Sequence, residues 1–169
     1  MADWVIVVDD DTSNLKMAGH ILSKAGFRVT ALKSGQALLD YVQEKGMPDL
    51  VLLDIKHIDN TEHINLTGHP NENILKFAKY LSDNNIPIWI RHVVVPNLTY
   101  NEVYLRNLGG FIKTLKTVQA LDILPYHDMA RIKYKDLGIE YPLGDTPPLS
   151  KEDAMNARNI ILKEIKKPA

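Results

Sequence analysis

The run LVLLDI, residues 50–55, is apolar at four successive positions before it meets Asp54. A strand apolar on both faces has to be covered on both faces, which is the situation of a central strand in a parallel sheet. Along the chain, short apolar runs alternate with longer amphipathic ones, the signature of βαβ units. The spacing predicts strands at WVIVV (4–8), FRVTAL (27–32), LVLLDI (50–55), IPIWIRHVVV (86–95) and ALDILPY (120–126). With 169 residues, the chain has the length of a single α/β domain.

Helices are predicted between the strands. The first, 13–25, follows cap candidates Asp11, Thr12 and Ser13 and stops at Gly26, where glycine supplies a left-handed turn. Ser34 caps a second over 35–45, with Ala37, Leu38, Tyr41 and Val42 on one face. Asn71 caps a third that runs through Leu81. Thr99 with Glu102 forms a capping box for a fourth, which the pair Gly109 and Gly110 bends or ends, and Ser150 with Asp153 opens the last, 151–166. Residues 127–149 hold three prolines and no clear period, and read as a long surface-wrapping loop onto which Tyr126, Tyr134 and Tyr141 pack.

Composition narrows the chemistry. Net charge is −1 with no basic block, so nothing favours nucleic acid or an anionic membrane. Residues 1–55 carry five Lys/Arg against eight Asp/Glu, so the acidic excess lies in the first third. No apolar run approaches the ~20 residues that span a bilayer. The start MADWVIVVDDD has no basic stretch or cleavage site and reads as a first strand, so a cytoplasmic protein is expected. Cysteine is absent, which removes disulfides, thiolate zinc sites, cysteine nucleophiles and cysteine-ligated iron–sulfur clusters from these residues.

Two acidic spots stand at the carboxyl ends of predicted strands: Asp9, Asp10 and Asp11 after the first, Asp54 after the third. In a parallel α/β sheet those ends line one crevice, and carboxylates gathered there call for Mg²⁺ or a lysine. The plainer alternative is that Asp10 and Asp11 cap the next helix. Over residues 4–55, VIVVDDDTSNLKMAGHILSKAGFRVTALKSGQALLDYVQEKGMPDLVLLDI resembles the response-regulator receiver domain. That resemblance implies a flavodoxin-like fold, Asp9 and Asp10 as Mg²⁺-site acids together with Asp54, and Asp54 as phosphate acceptor. The pattern then breaks. KHIDNTEHINL stands where a Met-Pro turn belongs, Arg91 falls at or near the position of the switch hydroxyl, and Leu124 replaces the lysine that precedes the strand-five proline.

From about residue 48 to 166 the motifs LLDIKHID, WIRHVVVP and LPYH resemble the C-terminal part of pyruvate formate-lyase activating enzyme, a radical S-adenosylmethionine (SAM) family built on a partial βα barrel. The resemblance implies SAM contacts at Asp54, Lys56 and His127, with Arg91 beside them. It also implies a [4Fe–4S] cluster on a cysteine loop, for which these residues have no ligand. The segment DLVLLDI satisfies both families, so the chain reads as an engineered chimera, with 1–55 receiver-derived and 56–169 from the second family.

The expected architecture is a three-layer, doubly wound, five-stranded parallel sheet in the order 2-1-3-4-5, forming a single domain without evolved catalytic activity. Mg²⁺ is the one cofactor the acidic residues leave open, and none is required. A second copy of the chain is the one partner left open, since a half-barrel origin uncovers a strand edge or helix face. Lys56 has an internal salt bridge with Asp54 or Asp10 as an alternative to ligand contact, and His127 reads more readily as a hydrogen-bonded loop histidine than as a ligand. His57, His63 and His69 read as surface residues.

Overall fold

The computed structural model describes residues 3–8, 12–33, 35–46 and 48–168. In chain order the elements are β1 (Trp4–Val8), α1 (Thr12–Lys24), β2 (Arg28–Leu32), α2 (Gly35–Lys45), β3 (Val51–Asp54), α3 (Asn60–Thr67), α4 (Glu72–Asp83), β4 (Ile88–Val94), α5 (Glu102–Lys113), β5 (Val118–Pro125), α6 (Ala130–Asp136) and α7 (Lys151–Ile165). All five predicted strands form. The cap candidates Asp11 and Ser34 lie outside the described residues.

The strands make two sheets, β1-β2 and β3-β4-β5, which corrects the five-stranded expectation. β1 and β2 pair in parallel from Trp4 opposite Arg28 to Val8 opposite Leu32. In the second sheet, Val51 N–H donates to the Pro87 carbonyl and Ile55 N–H to that of Arg91. The bonds advance in the same sense on both strands, as parallel pairing requires. Between β1 and the residues leading into β3, the described residues form a single bridge, Val5 to Leu50. The Trp4 amide, which a ladder would use, donates instead to the side chain of Asp49 at 2.9 Å. Nor is β3 covered on both faces: Val51 is buried, but Leu52 is 38% exposed.

By its internal contacts the chain divides into two compact units: residues 1–53, 77–89 and 116–120, and residues 54–76, 90–115 and 121–169. The first is organised around Trp4, Ile6, Leu38 and Val42, with Leu32, Tyr41 and Phe77 against them. Trp4 Nε1 donates to the Thr30 hydroxyl at 3.1 Å, which satisfies the indole donor beside the core. In the second, Ile55, Ile90, Val94, Leu105, Leu108, Ala157 and Ile161 are all within 1% of full burial.

Local signals explain most helix ends. Ser150 Oγ accepts from the Asp153 amide at 3.0 Å, as the sequence predicts for α7. The cap of α5 is Asn101, whose side chain accepts from Val103 and Tyr104. The predicted cap, Thr99, is buried and ties Val93 to Val95 instead. Asn71 likewise turns its amide away from α4, to the carbonyls of His57 and Ile58. Two helices escaped the sequence reading. α3 is bounded by Asp59, which accepts from Glu62, and by Gly68 at φ 77°, signals that were present but framed no apolar face. α6 lies inside the predicted loop, where Arg131 bonds the Gly144 carbonyl and Asp145.

The glycine pair does not end α5, which runs on to Lys113. A Cβ on Gly109 would lie 2.8 Å from both the Ile161 carbonyl and Glu164 Cβ of α7, whereas one on Gly110 would meet nothing within 4 Å. Gly109 is therefore the point of close approach between α5 and α7. Gly109→Ala is expected to destabilise the protein by about 1–3 kcal/mol through overpacking. Gly110→Ala should be neutral or stabilise by up to ~1 kcal/mol through helix propensity. Denaturation midpoints of the two variants check this, and equal effects would contradict it.

Candidate functional site

The site is built from the end of β3 and the middle of β4. Strand alternation sets its faces: Ile55 is buried, Lys56 exposed and His57 buried, while β4 alternates buried and half-buried from Ile88 to Val94. Arg91 is thus on the same face as Asp54. It is the central residue of β4, because that strand runs on to Val94.

Asp54 gives each of its oxygens to a different cation. Arg91 Nε donates to Oδ1 at 2.7 Å and Lys56 Nζ to Oδ2 at 2.9 Å. The side chains of Asp54, Lys56 and Arg91 are 35%, 46% and 40% exposed, so the cluster stands at the surface with one cation in excess. Burial pushes the Asp54 carboxyl up, but the charges and hydrogen bonds of Lys56 and Arg91 outweigh it and hold the group below the usual carboxylate range. The internal ion pair foreseen for Lys56 is therefore formed.

The other residues divide. His127 is exposed two positions beyond β5, and among the described residues no hydrogen bond or ion pair joins it to Asp54, Lys56 or Arg91. Asp9 and Asp10, named with Asp54 for a Mg²⁺ site, lie outside the described residues. Among the described residues no group of three or more His, Cys, Asp or Glu side chains is placed to hold a metal ion. Leu124, which stands where the receiver pattern has lysine, is 39% exposed. Tyr126 is buried and meets the Tyr141 hydroxyl at 2.9 Å, and Tyr134 stands edge-on to Tyr141. Burial first, and that hydroxyl second, raise Tyr126 to about 12.

His57 and His63 are not surface residues: each is only 3% exposed. Period-two alternation from Ile55 pointed His57 inward, whereas for His63, on a helix without an apolar face, no such signal existed. A third histidine, His92, is 4% exposed and donates from Nδ1 to the Ile55 carbonyl at 2.7 Å. Among the described residues no helix is long and apolar enough to cross a membrane.

Comparison with known proteins separates the chain into two likenesses. It is an α/β chain whose first part is receiver-like: the family model of the response regulator receiver domain matches residues 5–65. Over most of its length it is similar to pyruvate formate-lyase-activating enzymes. It is 47% identical to that of Streptococcus mutans over 124 residues, which is 73% of this chain and 47% of the relative. It is 51% identical to that of Staphylococcus epidermidis over 113 residues, 67% of this chain and 45% of the relative. The chain thus spans about half the length of these curated relatives. A 124-residue match and a match to residues 5–65 do not fit side by side in 169 residues, so the two likenesses share part of the chain. A domain of pyruvate-formate lyase-activating enzyme from Bacteroides vulgatus has the same fold at 18% identity, with a TM-score of 0.63 and coverage of 97% of this chain and 95% of that one.

The ion pairs fix a pH dependence. Because the folded pKa of Asp54 is lowered, its contribution to stability is complete above the unfolded-state value of about 3.9 and is lost as pH falls through the folded one. Carboxyl-carbon NMR titration should place the Asp54 midpoint below about 3.9, and Arg91→Gln should raise it. A midpoint unmoved by the substitution would show that Arg91 does not bear on the carboxylate.

Proposed function

We propose that the chain is a fold chimera, engineered to join a receiver beginning to the second half of a radical SAM activating enzyme, and that it has no evolved catalytic activity. The observation that carries this reading is the state of Asp54, the residue both families would use. Its two oxygens are occupied by Lys56 and Arg91. An acceptor aspartate needs a free oxygen for in-line attack and a metal beside it. Here Lys56 and Arg91 already neutralise the carboxylate, which lessens its demand for a metal ion. Arg91 and Leu124 at the positions of the switch hydroxyl and the lysine remove the readout and one partner for phosphoryl charge.

The radical side fares no better within these residues. The iron–sulfur cluster of the second family needs thiolates, and the chain has no cysteine, so the donor set does not fit that group. Natural fusions join whole domains through linkers. Here the two likenesses overlap inside the chain, and the curated relatives are covered to less than half. The overlap supports a join made within the strand that both parents have in common.

A second reading, a weak binding module for SAM or another anionic ligand, draws support from the exposed excess cation at Lys56 and Arg91. It needs one of them to leave Asp54 for a ligand carboxylate, at a cost of the ~0.2–1 kcal/mol typical of an exposed pair. A third, a Mg²⁺-dependent phosphoacceptor, rests on the receiver match and on Asp9 and Asp10.

Acetyl phosphate with millimolar Mg²⁺ separates these readings. The chimera reading expects no added phosphate by intact mass, while stoichiometric labelling lost in Asp54→Asn would overturn it in favour of the phosphoacceptor. Calorimetry with S-adenosylhomocysteine should give no heat at millimolar ligand. Saturable heat that disappears in Lys56→Ala would establish the binding module instead.

A further inference from the structure

α7 begins acidic and ends basic. Its first turn carries Glu152 and Asp153, whereas residues 158–167 hold Arg158, Lys163, Lys166 and Lys167 against one carboxylate, Glu164, in a chain whose net charge is −1. A helix C-terminus presents about half an elementary negative charge, which one lysine in the last turn answers. Lys163, Lys166 and Lys167 together exceed that need. The carboxylate among them is already engaged: Glu164 accepts from Lys167 Nζ at 2.9 Å and, from α5, Arg106 at 3.4 Å. Lys163 and Lys166 are exposed, and among the described residues neither ammonium group has an ion pair or a hydrogen bond.

These lysines share a concavity. With Asn159 and Leu162, Lys163, Lys166 and Lys167 line an open groove of about 430 Å³. The five positions lie three or four residues apart, so they form one stripe along α7. The backbone under the stripe is fixed. Gly109 brings α5 against the Ile161 carbonyl, Lys113 donates to the Pro168 carbonyl at 3.2 Å, and Glu164 holds Lys167 at its place in the stripe.

We propose that this groove is a binding site for oligophosphate, an anion with two or more linked phosphoryl groups. Its volume lies in the range of small-ligand sites. Lys163 stands one helical turn, about 5.4 Å, before Lys166 and Lys167, so a single phosphate meets one end of the stripe and a linked pair or triplet meets both. The ammonium group is a compact point charge without the planar fork that favours carboxylates, which suits phosphoryl oxygens presented in any orientation. The Asn159 amide adds a neutral donor. Leu162 is the single apolar residue of the lining, so there is no surface for a base or sugar ring, and recognition stops at the phosphates. The groove uses no residue of the Asp54 cluster and is independent of how that cluster is read.

Amide NMR titration of the intact chain with inorganic tripolyphosphate at low ionic strength should give saturable shifts confined to 159–168 and the end of α5. Orthophosphate should bind at least about tenfold more weakly, ATP about as tightly as tripolyphosphate, and adenosine not at all. At physiological ionic strength, where the Debye length shortens to about 8 Å, tripolyphosphate binding should weaken severalfold. Lys163→Gln with Lys166→Gln should lower the affinity about tenfold, the loss expected of two exposed charge contacts. Lys76→Gln with Lys79→Gln removes the same charge from exposed positions of α4 and should leave the affinity unchanged. Shifts spread over all lysine-bearing helices, equal losses in the two double variants, orthophosphate as tight as tripolyphosphate, ATP tenfold tighter than tripolyphosphate, or no saturation overturns the site. Should the α7 variant not fold, the ligand series on the unsubstituted protein decides by itself.

Discussion

A carboxylate at the end of a strand has to be neutralised or hydrated, and the candidate site follows from how Asp54 meets that demand. β3 delivers it next to β4, whose alternation brings Arg91 to the same face, while the chain's own continuation supplies Lys56. Two cations on one carboxylate leave an excess positive charge that is tolerable because all three groups remain partly in water. The same local sequence would suit either of the two families that the chain resembles, since a carboxylate followed by a lysine fits a phosphoryl pocket and a SAM pocket alike. Without a ligand, the pair satisfies itself.

The strand that carries Asp54 also marks where the sequence stops being self-consistent. As the central strand of a complete sheet it would be paired on both sides, and four successive apolar residues ask for that. β4 pairs it on one side, yet towards β1 there is one bridge, an Asp49 side chain in place of a ladder acceptor, and an exposed Leu52. Side chains selected for a buried setting are thus partly solvated. Local strand propensity forms β3 even with pairing on one side, because it depends on the run itself. A ladder depends on two strands suited to each other, and that is where this chain is incomplete.

What could be read from the sequence follows the same division. The five strands, Ser150 as a cap and the Lys56 ion pair each depend on residues close in sequence or on strand alternation, and each formed. Sheet completeness did not follow, because pairing across β1 and β3 is non-local. Thr99 and Asn71 were misread for a related reason: both have the chemistry of a cap, but burial gave their polar atoms better-placed backbone partners, Val93 and Val95 for one, His57 and Ile58 for the other. Gly109 looked like a helix breaker because its partner, the backbone of α7 at Ile161, lies more than fifty residues away in the chain. α3 is not legible although Asp59, Glu62 and Gly68 frame it, since apolar periodicity is the main mark of a helix in sequence and this helix buries a histidine alone.

That buried histidine shows how polar side chains can take over structural work in a stretch with little apolar surface to bury. Residues 55–71 expose Ile64 and Leu66 and hold their shape through imidazole and amide contacts to backbone. Each of these hydrogen bonds is directional, so together they specify one geometry for the stretch where scattered apolar contacts would leave several.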